Sequence, residues 1–112
     1  MIRITITKTS AKRITAVEVK GHAGYAEHGQ DIVCAAVSAI TIGTVNSVKK
    51  LLAIDLQATT DEATGLLQWI VPQLPEEMID QQLQLLMWSM TETLLMIEQE
   101  YDKFIKIKIE LV

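Results

Sequence analysis

The side chains best suited to nucleophilic and acid–base chemistry fall together in residues 21–38, GHAGYAEHGQDIVCAAVS. Cys34 is the only cysteine, so it cannot close an intrachain disulfide, and in a reducing compartment it stays a thiol. Asp31 is a favoured N-cap residue and predicts a helix over 32–52. That would put Cys34 in the first turn, where unpaired amides and the helix dipole favour a thiolate. The same amides would suit the oxyanion of a tetrahedral intermediate. His22, at the end of a predicted strand, can accept the thiol proton if the intervening loop folds back. Cysteine needs less activation than serine, so a Cys34–His22 dyad is chemically sufficient, with Asp31 and Glu27 both candidates to orient the imidazole.

Each of these residues also has a plainer use. Cys34, flanked by Val33, Ala35 and Ala36, fits a small packed core side chain. A histidine at a strand end commonly caps a turn. His28, between Glu27 and Gly29, reads as a solvated loop residue. Ser38 lies one turn beyond Cys34 on the same helical face, where it either binds substrate or bonds back to the Cys34 carbonyl. Gly24 and Gly29 serve as hinges or simply as turn residues. His22, His28, Asp31 and Cys34 lack the paired spacing of a zinc site, so neither a metal nor another cofactor is expected.

The elements around this stretch follow from periodicity. Ile2, Ile4 and Ile6 alternate with polar residues, as a half-buried strand does. Residues 14–20, with Thr15, Val17 and Val19 on one face, give a second strand, and the polar turn 9–12 makes the two a hairpin. Residues 54–60 and 65–71 form another hairpin about the turn 61–64. Beyond Pro72 and Pro75, Glu76 and Glu77 favour the start of a second helix running to about Tyr101. Its apolar stripe is Ile79, Leu83, Leu86, Met90, Leu94, Ile97 and Tyr101. Leu85, Met87, Trp88, Leu95 and Met96 widen the stripe, which suits either dimerisation or a position between the sheet and the first helix. Ile105, Ile107, Ile109 and Leu111 alternate as a last strand. The expected fold is α+β, a β-β-α-β-β-α-β sandwich of one sheet with two helices, making a single domain over residues 1–112.

The 112 residues carry a net charge of −4, and no run of Lys or Arg is longer than the pair Lys49-Lys50. That disfavours direct nucleic-acid binding and suits a basic protein partner. The first residues alternate instead of forming the apolar run of a signal peptide. The stretch 79–97, read as the most apolar, is broken by Asp80, Glu92 and several glutamines, so no membrane span is expected and the location is expected to be cytoplasmic.

GHA, a glycine-containing loop and then G-x-DIVCAAVSA resemble the signature of the ribosomal-processing cysteine protease family. Chain length, element order and the ETLLMIEQEY ending of the late helix extend the resemblance along the chain. It implies a cysteine endopeptidase with His22 and Cys34 catalytic, and with Asp31 and Ser38 as accompanying motif positions, assigned here to substrate binding. It further implies a cytoplasmic homodimer from bacteria related to the Firmicutes. The implied substrate is large-subunit ribosomal protein number twenty-seven, a basic protein whose short N-terminal extension is removed after a pair of aromatic residues. Two other readings are a non-enzymatic ribosome-associated assembly factor and a thiol redox sensor.

Overall fold

The computed structural model describes residues 1–21 and 32–112 in full and the secondary structure of 28–31. Its elements follow the expected order: β1 (Ile2–Lys8), β2 (Ile14–Lys20), α1 (His28–Leu52), β3 (Thr59–Asp61), β4 (Leu66–Ile70), α2 (Glu77–Glu100) and β5 (Ile105–Leu111). Among the described residues the strands form one sheet in the order β3-β4-β2-β1-β5. Neighbours are antiparallel except β1 and β5, which pair in parallel from Ile2 opposite Ile105 to Lys8 opposite Leu111.

Strand alternation sends Ile2, Ile4 and Ile6 to one face of the sheet, where they are almost fully buried with Val17, Val19, Trp69 and Ile105. Both helices add to this core: Val33, Val37 and Val48 from α1, and Leu83, Met87, Met90 and Leu94 from α2. Each such side chain contributes about 1.5–3 kcal/mol relative to exposure. The widened stripe of α2 therefore divides. Met87 is core, the Trp88 indole donates to the Lys12 carbonyl at 2.9 Å, and Leu85 and Met96 stay exposed.

Three expectations change. The strand expected over 54–60 shrinks to Thr59–Asp61, because Ala53 and Gln57 adopt positive φ and the Asp55 side chain accepts the Gln57 amide at 2.8 Å, a turn that breaks the extended path. The pairing of β1 with β2 skips a residue between Ala16 and Ile14, so Ile14 is the residue that joins Val17 and Val19 in the core, while Thr15 is only half-buried. The helix of transmembrane length and composition among the described residues is α1, over Ile32–Leu52 with a mean hydropathy of 1.5, and not the stretch 79–97. Its apolarity has a core use on one side, at Val33, Val37 and Val48, whereas Ile32, Ile42 and Leu51 are exposed.

Side chains from α2 tie the layers together. Gln84 binds both backbone groups of Ile14, accepting its N–H at 2.8 Å and donating to its carbonyl at 2.9 Å. Asp80 takes a forked ion pair from Arg13 and accepts the Leu74 amide at 2.9 Å. Glu98 accepts the amide of Ile107, in the edge strand β5, at 2.6 Å.

Candidate active site

From Cys34 onward, α1 carries Val37, Ser38, Thr41 and Ile42 at steps of three, four, seven and eight, the spacing of one helical face. All five line a groove of about 330 Å³. The β3–β4 hairpin supplies further lining through Thr60, Asp61, Glu62, Gly65, Leu66 and Leu67, and Ile2, Val19 and Gly21 complete it among the described residues. The lining is therefore largely aliphatic. The buried Thr41 hydroxyl donates to the Val37 carbonyl at 2.8 Å, which leaves its lone pairs toward other donors. Cys34 is half-buried, packed on the core while lining the groove. A thiol so placed can meet a ligand without first leaving the fold.

At the end of β2, Gly21 has φ +91°, and a Cβ built there would stand 2.5 Å from the Met1 carbonyl oxygen. Only glycine fits that combination of positive φ and close backbone. It fixes where the chain leaves the sheet, beside the groove and immediately before His22.

The helix start differs from expectation. α1 begins at His28, so Asp31 lies within the helix and is not its N-cap, and Cys34 sits in the second turn. From His28 to Cys34 the axial rise is roughly 9 Å at about 1.5 Å per residue, beyond the first turn in which dipole and unpaired amides act. The expected first-turn anion site at Cys34 is therefore absent. His28 likewise belongs to the helix and not to a loop.

Of the expected site residues, the structure brings Cys34 and Ser38 into one groove. His22, Gly24 and Glu27 lie outside the described residues, as do the side chains of His28 and Asp31. Among the described residues no group of three or more His, Cys, Asp or Glu side chains could hold a metal ion. Sequence reasoning missed Val37, Thr41 and Ile42, although the helical steps from Cys34 point to them. It had no comparable signal for the β3–β4 side. A larger hollow of about 550 Å³, bordered by Thr5, Thr7, Glu18 and Gln68, is lined by neither cysteine, serine nor histidine among the described residues.

An α+β fold that lays a single thiol along a largely apolar groove, with a histidine next in sequence to a groove-lining glycine, suits thiol chemistry on a ligand seated in that groove. The family model for the cysteine protease Prp matches residues 1–106. The ribosomal processing cysteine protease Prp of Bacillus subtilis (strain 168) is 36% identical over 107 residues, covering 96% of each chain. A crystal structure of the essential ribosomal processing protease Prp from Staphylococcus aureus with a substrate peptide superposes with a TM-score of 0.85 at 29% identity, covering 98% of this chain and all of that one. A second S. aureus Prp structure, carrying a covalently linked product peptide, gives 0.81 at 32% identity, again over 98% of this chain and all of the other. The chain belongs to the Prp family of ribosomal processing cysteine proteases. It is therefore an enzyme, a hydrolase of peptide bonds, which removes the non-enzymatic assembly-factor reading.

Proposed function

We propose that this protein is a single-domain endopeptidase over residues 1–112 that removes the N-terminal extension of large-subunit ribosomal protein number twenty-seven, with Cys34 as nucleophile and His22 as its base. The observation that carries the reading is that Cys34 and Gly21 line the same groove, while His22 is joined to Gly21 by a single peptide link. The covalently linked product peptide in the S. aureus relative supports a nucleophilic route.

In this mechanism His22 takes the proton from the Cys34 thiol, and the thiolate attacks the scissile carbonyl carbon. The tetrahedral intermediate collapses as the C–N bond breaks, and protonated His22 gives its proton to the leaving amine. A thioester remains on Cys34. Water, deprotonated by His22, attacks it, releasing the carboxylate product and returning the thiol. Ser38, in the groove one turn from Cys34, hydrogen-bonds the peptide, and Asp31 assists binding at the same end of α1. The aliphatic lining from Val37, Ile42, Leu66 and Leu67 suits an aromatic side chain next to the scissile bond.

The acidic chain suits a basic ribosomal protein and works in the cytoplasm, on protein and not on nucleic acid. A homodimer is supported by the hollow between α1 and α2, where among the described residues nothing lies within 4 Å of a Cβ built on Gly43, so a second backbone can come close. Incubation with the extended ribosomal protein, followed by mass measurement, tests the reading. Loss of the extension is expected, and an intact extension in the presence of folded enzyme would refute it.

A further inference from the structure

The sheet has two outer edges among the described residues, and the chain treats them differently. At β5 the Ile107 amide is held by the Glu98 carboxylate at 2.6 Å, and Lys106 and Lys108 flank it on the strand. Occupied amides and lysines are what discourage a foreign strand from pairing. At β3 the strand is fully exposed, is paired only with β4 among the described residues, and carries neither a lysine nor a proline. β3 is also the edge that borders the groove, since Thr60 and Asp61 line it together with Cys34.

We infer that the peptide substrate binds as an added strand on the open edge of β3, its backbone hydrogen-bonded to Thr59–Asp61 and one apolar side chain directed into the groove lined by Cys34. This rests on the peptidase reading above and adds the mode in which substrate is held. An extended backbone presents its scissile carbonyl at a fixed step from the strand it pairs with, so pairing to β3 sets which peptide bond meets Cys34. The groove's aliphatic lining selects one inward side chain, and the strand alternation turns its two neighbours away. Asp61 and Glu62, at the end of β3 and on the groove, suit lysine or arginine farther along the same peptide. The open edge is thus an extension of the active site and not an unprotected flank.

The test uses the full chain and a peptide spanning the extension and the mature start of the ribosomal protein. Wild-type enzyme is first assayed for cleavage of the unmodified peptide. Peptides N-methylated at one amide at a time are then bound to the Cys34→Ala protein. Because β3 is short, one sensitive amide flanked by tolerant ones is expected, with affinity falling about tenfold at the sensitive site, as loss of a backbone hydrogen bond implies. Saturating unmodified peptide is also expected to slow amide exchange in the segment 59–61. If the peptide is cleaved and bound but the methyl scan is flat, or exchange at 59–61 is unchanged, strand addition is wrong and the peptidase assignment stands. If the peptide is neither cleaved nor bound, both fail.

Discussion

Arg13 and Asp80 meet across the fold as a forked pair, Nη1 to Oδ2 at 2.6 Å and Nη2 to Oδ1 at 2.9 Å, joining the β1–β2 turn to the start of α2. The Arg13 guanidinium, with the Leu74 amide, holds the Asp80 carboxyl below its ordinary pKa, against the opposing effect of burial. A lowered folded-state pKa stabilises the fold fully above the unfolded value near 3.8, and that contribution is lost as pH falls through the lower, folded value. Asp80→Asn is expected to cost about 2 kcal/mol at neutral pH, the scale of hydrogen bonds to a charged group. Urea unfolding of both proteins against pH checks this: the gap should hold at neutral pH and narrow below about 3.8.

Replacing the proposed nucleophile and base separates chemistry from folding. Cys34→Ala is expected to abolish turnover and still bind peptide. His22→Ala should lower kcat roughly 10²–10⁴-fold, the range of general acid–base assistance. Alkylation of Cys34 against pH gives an independent reading, because the inflection should move upward in His22→Ala. An unmoved inflection would mean that the imidazole does not act on the thiol.

Ile42 lines the groove yet is 47% exposed, so its truncation should hardly change stability. Ile42→Ala is expected to reduce kcat/KM for a substrate with aromatic residues at the cut by about tenfold, within the roughly 1–3 kcal/mol that a lost apolar contact is worth. Comparison with a substrate carrying alanine there checks the assignment. Equal losses for both would remove Ile42 from side-chain recognition.

Gly21→Ala would set a Cβ 2.5 Å from the Met1 carbonyl oxygen at a φ of +91°. A destabilisation of about 2 kcal/mol is expected from the strained backbone alone. Activity should fall further than stability under conditions where the variant is fully folded, since the residue directs the chain into His22. Circular dichroism and kcat measured on the same preparation distinguish the two effects.

The legible parts of the fold were those in which one local pattern decided the outcome. Ile2, Ile4 and Ile6 and the run from Ile105 to Leu111 alternate cleanly and became β1 and β5. Residues 54–58 carry similar apolar content, but positive φ at Ala53 and Gln57 and the Asp55 side-chain bond overrode it. Asp31 reads as a cap because caps favour aspartate, yet the helix already begins at His28. In the site, the steps from Cys34 to Ser38 and Ile42 could be read directly from helical geometry. The approach of Thr60 and Leu67 could not, because sheet order, and not local sequence, brings that hairpin to α1.

The parallel pairing of β1 with β5 also has a temporal consequence. Ile2, Ile4 and Ile6 leave the ribosome early, but the strand that flanks them on one side, residues 105–111, is translated about a hundred residues later. Until then β1 has only β2 beside it, and the sheet stays unfinished along that edge although α1 and α2, which cover its isoleucine face, have already been made. Such long-range closure slows folding relative to local pairing. A newly made molecule therefore completes its sheet only after β5 has been translated, so the edge strand closes a layer whose other four strands and both helices have already been made.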